Sequence, residues 1–267
     1  NYAMNTQDRP VIEVPTSLAQ TLIKAAMQQH SAKLTLPELL EADLDLLELE
    51  NSEGTLSDEV HLLFAPIRES RTPLTLYSLS PTYKPSYTRR LCAFIGPKQT
   101  TIFRSTNAPT QTTIYLVDTE EVPHIVAANS PIFTRQNFDD GPASIPTAFI
   151  DAANHADVET AKDILLGGLE SPQASPAFLH DIQKNRWEYT IWTSWRRTST
   201  DFHAHTTNAA LSMPSGTYMV NTVDLPENYL THTPGMLEKI RKPNSTTEVA
   251  CYNQTMLWMQ LASQVAP

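Results

Sequence analysis

The stretch WEYTIWTSW, residues 187–195, decides how the rest of the chain is read. Trp187, Tyr189, Ile191 and Thr193 alternate with Glu188, Thr190, Trp192 and Ser194, the period of two that a β-strand imposes on its side chains. This predicts a strand in the centre of a sheet. After the polar RRTSTD comes FHAHTTNAALSMPSGTYMVNTVD, residues 202–224, which reads as a hairpin. One strand runs from about Phe202 to Ser212, a turn spans Met213–Gly216, and a second strand runs from Thr217 to Val223.

Upstream, LTLYSLS, YTRRLCAFIG, TTIFRST and TTIYLVDT are short runs rich in Thr, Tyr, Ile and Val, so three or four strands are expected between residues 74 and 118. Helical spacing predicts helices at Leu18–Met27, after Pro37, from Ile150 to a cap at Gly167, and from Ser175–Pro176. The stretch STTEVACYNQTMLWMQLASQV reads as a closing amphipathic helix, with Leu257, Leu261 and Val265 on one side. The expected fold class is α+β. A helical N-terminal region, residues 1–68, precedes a mixed or antiparallel sheet with flanking helices, residues 69–267.

Composition narrows the function. With 19 basic and 29 acidic residues the net charge is −10, which argues against a general nucleic-acid binder that must replace counterions along phosphates. Nine acids fall between Glu38 and Glu59 without a single Lys or Arg, the pattern of a solvated face or acidic loop. No run of about 18 apolar residues predicts a membrane span, and no basic segment followed by an apolar one predicts a leader peptide. Seven glycines and no GxGxxG or GxxxxGK[ST] leave nothing to cradle a nucleotide phosphate, and no cofactor is expected. Cys92 and Cys251 are too few for a disulfide framework, and His203 and His205 lack a third ligand at zinc spacing.

The hairpin carries a chemical possibility. A histidine on one strand and Asp224 at the end of the next can be neighbours across a ladder, and the carboxylate then fixes the imidazole tautomer. Cys251 follows near the expected start of the last helix, where a helix terminus and a His⁺ would lower a thiol pKa. The alternative stays open: Cys251 is a small buried hydrophobe and the His pair an ordinary strand pair. Cys92, in RRLCAFIG, reads as core.

The order of strand, histidine, hairpin, acid and cysteine over residues 187–260 resembles the Ulp/sentrin-type ubiquitin-like cysteine protease clan, which includes the YopJ-like effector acyltransferases. The resemblance implies a cysteine-protease-like fold and a triad of Cys251 as nucleophile, His205 as base (His203 the alternative) and Asp224 as orienting acid, with Asn244 contributing to the oxyanion site. It further implies a thiol hydrolase acting on ubiquitin or a ubiquitin-like protein, or an acyltransferase with the same triad. Such an enzyme would be cytoplasmic, or an effector passed by a bacterium into a host cell. Thr206 follows His205 where the clan has Trp, and Tyr252 follows Cys251 where it has Gly. The competing expectation is a non-enzymatic protein-binding or immunity module.

Overall fold

A computed structural model describes Arg9 and residues 11–28, 58–84, 87–105, 111–130, 143–168, 174–198, 202–220 and 246–265. Residues 188–195 form most of strand β7 (Glu188–Arg197), which is the pivot of one ten-stranded antiparallel sheet among the described residues. On one side lie β2 (Leu74–Leu79), β3 (Thr88–Ile95), β4 (Gln99–Ser105), β5 (Gln111–Asp118) and finally β1 (Val11–Pro15) at the edge. On the other lie β8 (Phe202–Met213), β9 (Gly216–Val220), β10 (Thr246–Cys251) and β6 (Ala143–Pro146). At the seam Leu76 faces Trp192 and Tyr77 faces Ile191. Two meanders, β2–β5 and β7–β9, therefore share one ladder.

Strand alternation sorts the core into two faces. The first face is covered twice. Helices α1 (Thr16–Gln28) and α2 (Asp58–Glu69) bury Leu18, Leu22, Leu63 and Phe64 against Phe94, Phe103 and Ile114. Helices α4 (Thr147–Asn154), α5 (Val158–Gly167) and α6 (Pro176–Gln183) close over Tyr189, Leu211 and Tyr218. There Phe149 meets Trp187 and Tyr189 edge-on at 5.3 and 5.5 Å, contacts worth about 0.5–1.5 kcal/mol each beyond their buried area. The second face gathers Leu76, Leu91, Ile102, Trp192, Ala210 and Met219 under Val122 and Val126 of α3 (Val122–Ala128) and Leu257 and Leu261 of α7 (Gln254–Val265).

The α+β class holds, with corrections to its parts. The N-terminal region is not purely helical, because VIEVP pairs with β5 as an edge strand and α1 and α2 share the sheet's core. Its β-branched Val11, Ile12 and Val14 suit a strand once β5 supplies the ladder. The last segment is not one helix: TTEVAC alternates buried and exposed residues as β10, and the helix begins three residues later. The helix expected over 150–167 is two, broken at Ala156 (φ 58°), after which Asp157 caps α5 by accepting from the Thr160 amide. The helix expected after Pro37 lies outside the described residues. The hairpin turn falls where expected, and buried Asp181 of α6 supports it by accepting from the Ser215 amide at 2.8 Å.

Candidate anion-binding site

Of the expected triad, Cys251 and His205 occupy different parts of the sheet. Cys251 ends β10 rather than opening a helix, and it packs partly buried against the first-face core. Register aligns it with Tyr218 and, one strand further, with Leu211. His205 lies six residues from Leu211 along β8, so at about 3.3 Å per residue and 4.8 Å per strand the pair is roughly 20 Å apart. A β-bulge between Ser194 and Trp195 sits beside His205. The exposed imidazole lines a second-face cleft of about 190 Å³ with Arg196, Asn208, Gln260 and Gln264. Cysteine and histidine thus sit on opposite faces, far beyond the hydrogen-bond reach that an activated thiolate needs. His203 is exposed two residues further from Cys251. Asp224 and Asn244 lie outside the described residues. Cys92 packs against the first-face core, where burial pushes its thiol up to about 12 and keeps it protonated.

A different constellation is assembled on the second face, at the end of the β2–β3–β4 meander. A cleft of about 360 Å³ opens there, floored by buried Leu76 and Leu91 and walled by Tyr83, Lys84, Arg89 and Arg104. The strands place these cations by alternation. Arg104 sits directly across from Leu91, and Arg89 is two residues before Leu91 on the same face. The two arginines are therefore diagonal neighbours, with Cα atoms about 7–8 Å apart. Lys84 reaches the rim from the turn that follows β2.

The cleft holds its cations without neutralising them. The Arg89 guanidinium lies 3.9 Å from the centroid of the Tyr83 ring, a cation–π contact that orients the side chain while keeping its charge. Arg90 borders the same cleft through its strand position, but its guanidinium lies 5.4 Å from Tyr77, whose hydroxyl bonds to Ala153 on the first face. Ser105 locks the local backbone by accepting from the Arg90 amide at 2.8 Å. Among the described residues, no carboxylate comes within ion-pair distance of Lys84, Arg89 or Arg104, and none lines the cleft. Like charges set diagonally on one strand pair repel, and an anion between them removes the repulsion.

Net charge summed over the whole chain hides this site. Between Ser70 and Val117 there is no Asp or Glu, while Arg71, Lys84, Arg89, Arg90, Lys98 and Arg104 all fall there. That cation-only block in a chain of net charge −10 was the available signal. No cluster of three His, Cys, Asp or Glu side chains able to hold a metal occurs among the described residues. Among the same residues no helix is long and apolar enough to cross a membrane. Comparison with models of known protein families gives no match, and comparison with curated proteins finds no relative.

Proposed function

We propose that this protein is a non-catalytic binding module that recognises an anionic group of a partner protein in the cleft formed by Lys84, Arg89 and Arg104. One observation carries the reading: two arginines are held as diagonal neighbours on one face, with no carboxylate among the described residues of the cleft, in a chain with ten more acidic than basic residues. The net negative charge of the chain makes the role of the site selective. Electrostatic steering by the whole chain disfavours anions in general, so a ligand must gain its affinity from close, directional contacts inside the cleft. Arginine suits that task because its planar fork donates two parallel hydrogen bonds to one oxyanion. The apolar floor of Leu76 and Leu91 lowers the local dielectric beneath those contacts and strengthens them.

The thiol-hydrolase expectation requires Cys251 beside a histidine, and the separation of Cys251 from His205 lends it no support. The binding reading is tested by calorimetric titration of tripolyphosphate into wild-type protein and into the Arg104→Glu variant. Saturable binding near one equivalent is expected, weakening as salt rises and falling at least tenfold in the variant. Identical titrations of the two proteins would refute the site.

A further inference from the structure

We infer that the group this cleft recognises is a phosphate monoester dianion rather than a carboxylate, an inference that rests on the binding reading above. Donors converge on the cleft from three separate backbone positions: the turn after β2 supplies Lys84, β3 supplies Arg89 and β4 supplies Arg104. A carboxylate has two oxygens in one plane and a single charge, which one arginine fork already satisfies. A phosphoryl group presents three acceptor oxygens in a tetrahedral arrangement and carries about −1.5 to −2 charge at pH 7. It can therefore take one arginine on each of two oxygens and the lysine on the third, and it comes closer to balancing three cations.

The neutral groups agree. Asn129, beside the cleft, spends one Nδ2 hydrogen on the Ile125 carbonyl at 2.7 Å, and its second hydrogen is available to a further oxygen. Arg89 stacks on Tyr83, so its flat guanidinium edge is presented already ordered, which reduces the entropy lost on binding. Among the described residues, no histidine or carboxylate lines the cleft. A loss of affinity from pH 7.5 to pH 5 that the phosphorylated peptide shows and the Glu peptide does not then reports the ligand, because the second ionisation of a phosphate monoester falls near pH 6 whereas a carboxylate is already largely ionised.

The experiment uses the full chain and four probes: the pentapeptide Ala-Ala-phosphoSer-Ala-Ala, its Glu and unphosphorylated Ser counterparts, and inorganic phosphate. Dissociation constants are measured at pH 5.0 and pH 7.5 for wild type, Arg89→Lys, Arg104→Lys and, as a charge control at the opposite end of β4, Lys98→Glu. The phosphorylated peptide is expected to bind at least tenfold tighter than the Glu peptide at pH 7.5. Its affinity should drop several-fold at pH 5.0, and each Arg→Lys variant should lose several-fold while Lys98→Glu changes little. Inorganic phosphate binding as tightly as the peptide would place the recognition in the phosphoryl group alone. Weaker phosphate binding would show that the flanking chain contributes. Equal affinity for the phosphorylated and Glu peptides overturns the phosphoryl inference and leaves the anion-binding reading intact. Absence of binding by all the anionic probes overturns both.

Discussion

The second face of the sheet handles uncompensated charge in two opposite ways within a short distance. Arg89 faces Ser78 across the ladder, Ser78 faces Thr190, and Glu188 is two residues before Thr190 on the same face. Strand geometry puts Arg89 and Glu188 about 12 Å apart, two strands across and two residues along. Arg89 is exposed and stays charged against an aromatic ring. Glu188 is 3% exposed, its Oε1 lacks a hydrogen-bond partner, and burial lifts its pKa to about 8. Its neighbours are neutral hydroxyls: Ser78 bonds to Thr190 at 3.0 Å, and Ser212 bonds to Thr217 at 3.1 Å. A solvent-facing charge can wait for a ligand, whereas a buried one without a partner gives up its charge. The site of recognition is accordingly the arginine cluster, although Glu188 is the more perturbed group.

The largest effect is expected at Glu188. Its folded pKa lies above the ordinary value of 4.5, so between about pH 4.5 and 8 the folded state holds a proton that the unfolded state has released. Stability attributable to this group therefore falls as pH rises through that window and levels off above about pH 8. Glu188→Gln, which mimics the protonated form, should be more stable than wild type by roughly 2–4 kcal/mol at pH 7, with the difference vanishing near pH 4. Urea denaturation at the two pH values measures this. A variant no more stable than wild type at pH 7 would mean that burial does not hold Glu188 protonated, and one destabilised at pH 7 but not at pH 4 would mean that the carboxylate makes an ionic contact.

Asp181 sharpens the contrast, since it is equally buried but accepts from the Ser215 amide. Asp181→Ala leaves that amide unpaired and should cost about 1–3 kcal/mol, loosening the β8–β9 turn. Faster hydrogen exchange at Ser215 would confirm it. Two buried carboxyls are thus predicted to have opposite signs on removal, decided by one hydrogen bond.

Removing the exposed charges should do least to the fold. Arg89→Gln and Arg104→Gln are expected to leave stability within about 0.5 kcal/mol of wild type, as for other surface positions, while abolishing tripolyphosphate binding when combined. Thermal denaturation alongside titration separates the two readouts. Cys251 is the matching test on the other face: iodoacetamide should modify it slowly at pH 6–7, at a rate unchanged by His205→Ala, with Cys92→Ser as background. Rapid labelling that depends on His205 would instead restore the thiol-enzyme expectation.

The frame of the fold was legible where alternation is strong. WEYTIWTSW announces β7, the four Thr-rich runs announce β2–β5, and the Pro-Ser turn announces β8–β9. Short strands at the ends were not. VIEVP and ASIP are too brief for periodicity, and they become strands only because β5 and β10 offer them a ladder. TTEVAC abuts the helical periodicity of the segment behind it, so by sequence Cys251 falls at a helix start, whereas in the structure it ends β10. The bulge at Ser194/Trp195 cannot be read from composition, yet it shifts the residues beyond it, bringing Phe202 to the first face at 6.1 Å from Phe94. The cleft was hidden for a related reason: Leu91 and Arg104 become neighbours only through the β3–β4 register, and charge counted along a sequence does not know register.

Chemical-shift mapping with pyrophosphate on isotope-labelled full-length protein tests the central claim most directly. The perturbed amides should cluster at Tyr83, Arg89, Arg104 and Asn129 and be absent around His205 and Gln260. Perturbations centred on the His205 cleft, or spread evenly over the surface cations, would contradict the assignment of recognition to the arginine cluster.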